Sequence, residues 1–214
     1  DKSFIESSRI RFRNMTSDRS IVSGDFELAM DELREVARYV LADAIDVLPM
    51  FEATVPDDPR PCAAIEAAHR FAEGAARTKL QRVTALDAHR AARSAPSEIA
   101  QLAARSAGDA ASAAYLHPIA DAAQVGHILR ASATAAHLCE LAGGGDPALA
   151  DARLERSRRS ATPLLIDVLS RYPTAAAGRS RIARLMHRLD DLLRADGRAA
   201  GESSRADPDV AAGR

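Results

Sequence analysis

Tryptophan is absent from this chain, and aromatic residues make up only 4% of it. Strands lean on aromatic and β-branched side chains, so a sheet-built core is excluded on supply. Cysteine occurs twice, at Cys62 and Cys139. Two isolated thiols are no disulfide framework, which points to a reducing compartment and hence the cytoplasm. No apolar run approaches the ~20 residues a membrane helix needs, so no membrane association is expected. The net charge is −1, so the chain as a whole is no polyelectrolyte binder. Gly-x-Ser-x-Gly, Walker and Gly-x-Gly-x-x-Gly patterns are missing, which takes away the commonest signatures of hydrolases and nucleotide enzymes.

What the chain does have is alanine and leucine spaced for helices. Alanine has the best helix propensity and lets helices approach closely. Leu33, Val36, Val40, Ala44 and Val47 recur at spacings of three and four, predicting a helix from Phe26 to Leu48, capped by Ser23 or Asp25 and closed by Pro49 and Pro56. Asp57-Asp58-Pro59-Arg60-Pro61 signals the next start, for a helix to Thr78 that Gly74 weakens or kinks. Leu80–Ser94 follows, with Val83, Leu86 and Ala91 as its inward face. Ser97 caps a helix to Leu116, and Pro118 opens one through Ile119, Val125, Leu129, Ala133 and Leu138. Gly143-Gly144-Gly145 stops that one, and Asp146-Pro147 starts another reaching Tyr172 with a break near Pro163. The last runs from Ser180 to Arg194 with Ile182, Leu185, Leu189 and Leu192 inward. No fixed repeat marks a solenoid. The fold class is therefore all-α, a single Ala-rich bundle of about seven to eight helices over residues 25–196. An irregular segment precedes it (1–24, with Met15 reading as a natural start after residues 1–14). A disordered tail of Gly, Ser, Ala and charge follows at 197–214.

Charge is unevenly distributed. Acids dominate from Asp25 to Arg60 and arginines from Asp151 to Arg198. The plainer reading is that the two ends attract each other in the fold; the other is two functional faces. Glu66 and His69, three apart, share a helix face and are the most pointed metal candidates, with His127 as a third. A di-iron site needs a second Glu-x-x-His, which the chain lacks, and neither metal nor cofactor is expected. Cys62 sits in a helix's first turn, where the dipole lowers a thiol's pKa, but no base stands nearby. Arg153, Arg156, Arg158 and Arg159 form the densest basic run. Without interleaved aromatics it reads as a solvated face rather than a nucleic-acid surface.

Three segments between Glu32 and Ala142 carry a resemblance. Asp57-Asp58-Pro59-Arg60-Pro61-Cys62-Ala63-Ala64-Ile65-Glu66-Ala67-Ala68 is similar to an Asp-x-Arg-Pro-x-x-Ala-Ile-Glu-Ala pattern. Ala88-His89-Arg90-Ala91-Ala92-Arg93 is similar to an Ala-His-x-Ala-Ala-Arg helix. The run from Ala103 to Ala114 is close to Ala-Arg-x-Ala-Gly-His-Ala-x-x-x-Ala. Together they resemble a bacterial family of immunity proteins with an Imm-5-like all-helical domain. Asp109 stands where that family's pattern has His, Cys62 where a basic residue is common, and Tyr115 near another usual His. The resemblance implies a non-catalytic cytoplasmic protein that binds and neutralises a toxin; a homo-oligomer is compatible with it. It points to Asp57, Asp58, Arg60 and Glu66, with His89 and Arg93, as a polar cluster for a partner or for the fold. The acidic stretch Asp31–Asp58 is expected to oppose a basic toxin surface. A helical metal- or small-ligand-binding protein using Glu66, His69, His89 and His127 is the alternative, and a nucleic-acid-binding regulator using the C-terminal arginines a second.

Overall fold

A computed structural model describes residues 21–205, and side chains as far as Glu202. Met15, residues 1–20 and residues 206–214 lie outside the described residues. Among the described residues are eight α-helices and one two-stranded hairpin. The helices are α1 (Met30–Glu52), α2 (Arg60–Ala72), α3 (Lys79–Ser94), α4 (Glu98–Ser112), α5 (Gly126–Ala142), α6 (Pro147–Ser160), α7 (Pro163–Ser170) and α8 (Arg181–Arg205). Short 3-10 turns at Ala113–Tyr115 and Ala122–Val125 fill the connection from α4 to α5. The all-α reading holds.

Local chemistry explains most of the helix starts. Thr78 accepts from the Leu80 amide and Gln81 returns the favour to the Thr78 amide, a capping box for α3. Ser97 caps α4 by accepting from Ala100, and Asp146, followed by Pro147, caps α6 by accepting from Ala148. Pro49 does not close α1. It sits in the last turn, where the loss of one backbone bond leaves the rest of the helix intact, and α1 runs on to Glu52.

Other expectations need correction too. Pro118 opens no helix, and α5 starts at Gly126. Residues 21–29 form an antiparallel hairpin, β1 (Ile21–Ser23) with β2 (Glu27–Ala29), so the irregular segment ends earlier and the first helix starts later, at Met30. Asp25 is no helix cap. Its amide donates to Pro118 O at 2.8 Å and its carboxylate accepts from Ala120 at 2.7 Å, stitching the hairpin to the turn before α5. α2 ends at Ala72 because Gly74 takes a φ of +105° and turns the chain out of the helix rather than kinking it. α8 continues through Gly197 to Arg205, where a tail was expected. Gly197 and Gly201 cost ~1 kcal/mol each against several alanines and arginines, and Arg158 holds Asp196 at 2.7 Å.

The core is built largely from alanine, as the composition dictates. α4 packs against α1, α2, α3 and α5 at once. Its Ala100, Ala103, Ala104, Ala107, Ala110 and Ala111 are fully buried. α3 turns Ala85, Ala88, Ala91 and Ala92 inward, while Val83 and Leu86, the expected inward pair, are exposed. A row of methyl groups lets α3 lie closer to α4 than branched side chains would. Ile119 is likewise exposed, and Leu193 rather than Leu192 is the buried leucine near the end of α8.

Attraction between the acidic and basic ends is realised in the packing. Arg153 on α6 reaches Asp43 and Asp46 on α1, Arg156 also reaches Asp46, and Arg171 reaches Glu32. Asp31 pairs with Arg34, Glu35 with Arg38 and Asp58 with Arg60. The acidic stretch thus spends most of its charge inside the molecule and is no broad acidic face for a partner.

Candidate functional site

Two helical spacings and a close approach assemble one groove. On α3, Arg82, Leu86, His89 and Arg93 recur at four, three and four residues and so share a face. On α4, Arg105, Asp109 and Ser112 do the same; on α5, His127, Arg130 and Thr134. These three faces meet in two recesses of about 380 and 610 Å³ that share His89, Asp109 and Arg130 as their common wall. Leu102 and, from α8, Ile182 close the first; Tyr115 and His117 close the second.

Gly108 makes the approach possible. A Cβ there would meet three atoms of the His89 ring at 2.8–3.0 Å, so only glycine lets that imidazole rest against α4. His89 Nε2 thereby stands 3.9 Å from Asp109 Oδ1, and Arg130 Nη1 stands 3.5 Å from the same oxygen. Both contacts are long. Burial pushes the Asp109 carboxyl above its ordinary value, against the pull of Arg130, His89 and Arg105. A buried carboxylate this loosely paired is disfavoured in its charged form.

His127 lies 3.3 Å through Nδ1 from the Ser112 hydroxyl. Burial first, then the charges of Arg130 and His117, push its pKa down to about 4. The sign follows directly. The unfolded chain binds this proton near pH 6.5 and the folded chain only near pH 4, so stability is complete above the first value and declines as pH falls toward the second. The His127 Cε1 proton, followed by NMR, should titrate near pH 4; a midpoint near 6.5 would show the ring to be solvated.

The expected cluster divides in two. Arg60 grips Asp58 in a fork at 2.6 and 2.8 Å, which holds that carboxyl below its usual range, and lies 3.4 Å from the Ser94 hydroxyl on α3. Its partner is Asp58, not Glu66. Asp57 and Glu66 are exposed. His89 and Arg93 belong to the groove, and at about 100° per residue they face away from Asp87 and Ser94, which face Arg60.

The metal candidates do not converge either. His69 approaches Glu73 at 3.5 Å, on a shallow recess with Glu66, while His127 faces the groove. Among the described residues, no three His, Cys, Asp or Glu side chains are placed to hold an ion. Cys62 is half-buried, and burial followed by the charges of Glu66 and Glu52 pushes its thiol up, the reverse of helix-start activation. Arg82, Arg105, Arg130, Ser112 and Thr134 escaped the sequence reading. The signal for them was a polar residue every three or four positions inside the alanine runs of α4 and α5.

Fold and site together define a class: a single α-helical bundle whose distinctive surface is a polar groove cut between three of its helices. Residues 27–161 match the family model described as "Imm-5 like putative immunity protein", and the chain belongs to that family. No curated protein and no solved structure matches it. Among the described residues, no helix is long and apolar enough to cross a membrane.

Proposed function

We propose that this protein neutralises a bacterial toxin by binding it directly, without catalysis of its own, and that the groove between α3, α4 and α5 is where the toxin docks. The supporting observation is a coincidence of two independent features. Of the three segments that resemble the family, Ala88–Arg93 and Ala103–Ala114 supply His89, Arg93, Arg105, Gly108 and Asp109 to the groove walls. The groove is also where the molecule leaves several arginines unspent. Binding of this kind needs a rigid surface with anchors and complementary charge, and alanine-packed helices provide the rigidity.

Co-expression with the C-terminal toxin domain of a large secreted protein encoded beside this gene tests the reading. Wild-type protein should restore growth and elute with the toxin as a stoichiometric complex. Toxicity undiminished by abundant folded protein, with no complex, sinks it.

A further inference from the structure

Elsewhere in this fold an arginine near a carboxylate is paired with it closely. Arg60, Arg158, Arg171, Arg181, Arg188 and Arg194 each hold an acid at 2.5–2.8 Å. The groove breaks that pattern. Arg82, Arg93, Arg105 and Arg130 line it, and the only carboxylate among its lining residues is the buried Asp109, which Arg130 meets at 3.5 Å. Among the described residues, Arg82, Arg93 and Arg105 make no side-chain hydrogen bond or ion pair. Four guanidinium groups share one acid, the buried Asp109, and a single loosely held carboxyl is too little to offset their mutual repulsion. Arg70, Arg179 and Arg198 also lack a side-chain partner among the described residues, but they stand apart on α2, before α8 and on α8, whereas these four line one groove and are available together to something outside.

Given that a toxin docks here, we infer that the groove receives an acidic segment of the toxin, a stretch of chain presenting Asp or Glu side chains to Arg82, Arg93, Arg105 and Arg130. Shape favours a chain over a single ion. Arg82 to Arg93 spans eleven residues of α3, ~16 Å at ~1.5 Å per residue, which is about five residues of extended peptide at ~3.3 Å each. Leu86, exposed between the arginines, gives apolar side chains of such a segment a seat. Charge favours carboxylates along a chain over one phosphate, because four guanidinium groups spread across two recesses match acids spaced along a segment better than a single compact dianion. Nucleic acid is disfavoured as well. The one Phe, Tyr or Trp ring in the lining, Tyr115, is covered by Arg77 at 5.5 Å and its hydroxyl donates to Thr78 O, which leaves no large ring free for stacked bases.

The test is fluorescence anisotropy on the full chain with a labelled peptide of about eight residues alternating Asp or Glu with Leu. An Asn/Gln version of the peptide is the neutral control. The acidic peptide should bind, weaken as salt rises, and lose about tenfold in affinity with each of Arg93→Glu and Arg105→Glu. The neutral peptide should not bind. Arg70→Glu, the same charge change on exposed α2, should leave binding unaltered. Equal binding of the neutral peptide, or equal loss in Arg70→Glu, overturns the assignment. So does tighter binding of pyrophosphate or of an oligoribonucleotide at matched ionic strength. Circular dichroism confirms that each variant is folded. The growth assay separates the two claims. If the Arg93→Glu/Arg105→Glu protein protects as well as wild type, immunity stands and the acidic-segment assignment falls. If wild type fails to protect, the immunity reading falls, and peptide titration alone decides what the groove binds.

Discussion

Replacing Arg153 with methionine should destabilise the protein by about 3–5 kcal/mol, the cost of leaving a buried charge without its partner. Arg153 and Asp43 are both buried and hydrogen-bonded to each other across the contact of α6 with α1. Arg153 also donates to Asp46 at 2.8 Å, and Ser157 supports Asp43 with a hydroxyl at 2.9 Å. With the guanidinium gone, Asp43 keeps only the Ser157 hydroxyl of these donors in a buried position. Removing both charges tells a different story. An Asp43→Leu/Arg153→Met protein should recover most of the loss, because a well-packed apolar pair is often as stable as the ion pair it replaces. Urea midpoints of the single and double variants measure this. A single variant within ~1 kcal/mol of wild type would mean that water reaches the pair.

Ala107→Leu should rank next, at or above the ~1–3 kcal/mol usual for overpacking. Ala107 is fully buried on the helix that touches four others, so three added carbons have nowhere to go unless α4 moves. Leu86→Ala on exposed α3 is the control and should change thermal stability little. An unshifted melting temperature in Ala107→Leu would disprove close packing at the centre of the bundle.

The helical architecture was legible because it rests on local signals. Scarce aromatics, abundant alanine and caps such as Ser97 and Asp146-Pro147 act within a few residues, and the structure uses them where they stand. The hairpin at 21–29 escaped because Asp25 reads as a helix cap locally and is claimed by Pro118 and Ala120 from far along the chain. Val83 and Leu86 misled for a related reason. Periodicity names a face, but the alanine face two positions over packs closer, and that preference lies in the partner helix α4. The groove was half visible. The family resemblance drew attention to His89, Arg93 and Asp109, and the Ala-rich runs hid Arg105 and Arg130. No spacing within one helix announces that three faces from separate helices will converge; crossing angles decide it.

The matched family span ends at Ala161, yet Ile182, on α8, forms part of the groove wall. One wall of the opening is therefore encoded outside the stretch that carries its arginines. A substitution at Ile182 reshapes the opening and leaves every arginine where it stands; a substitution at Arg105 does the converse. Fit and charge can drift apart in evolution, one without disturbing the other.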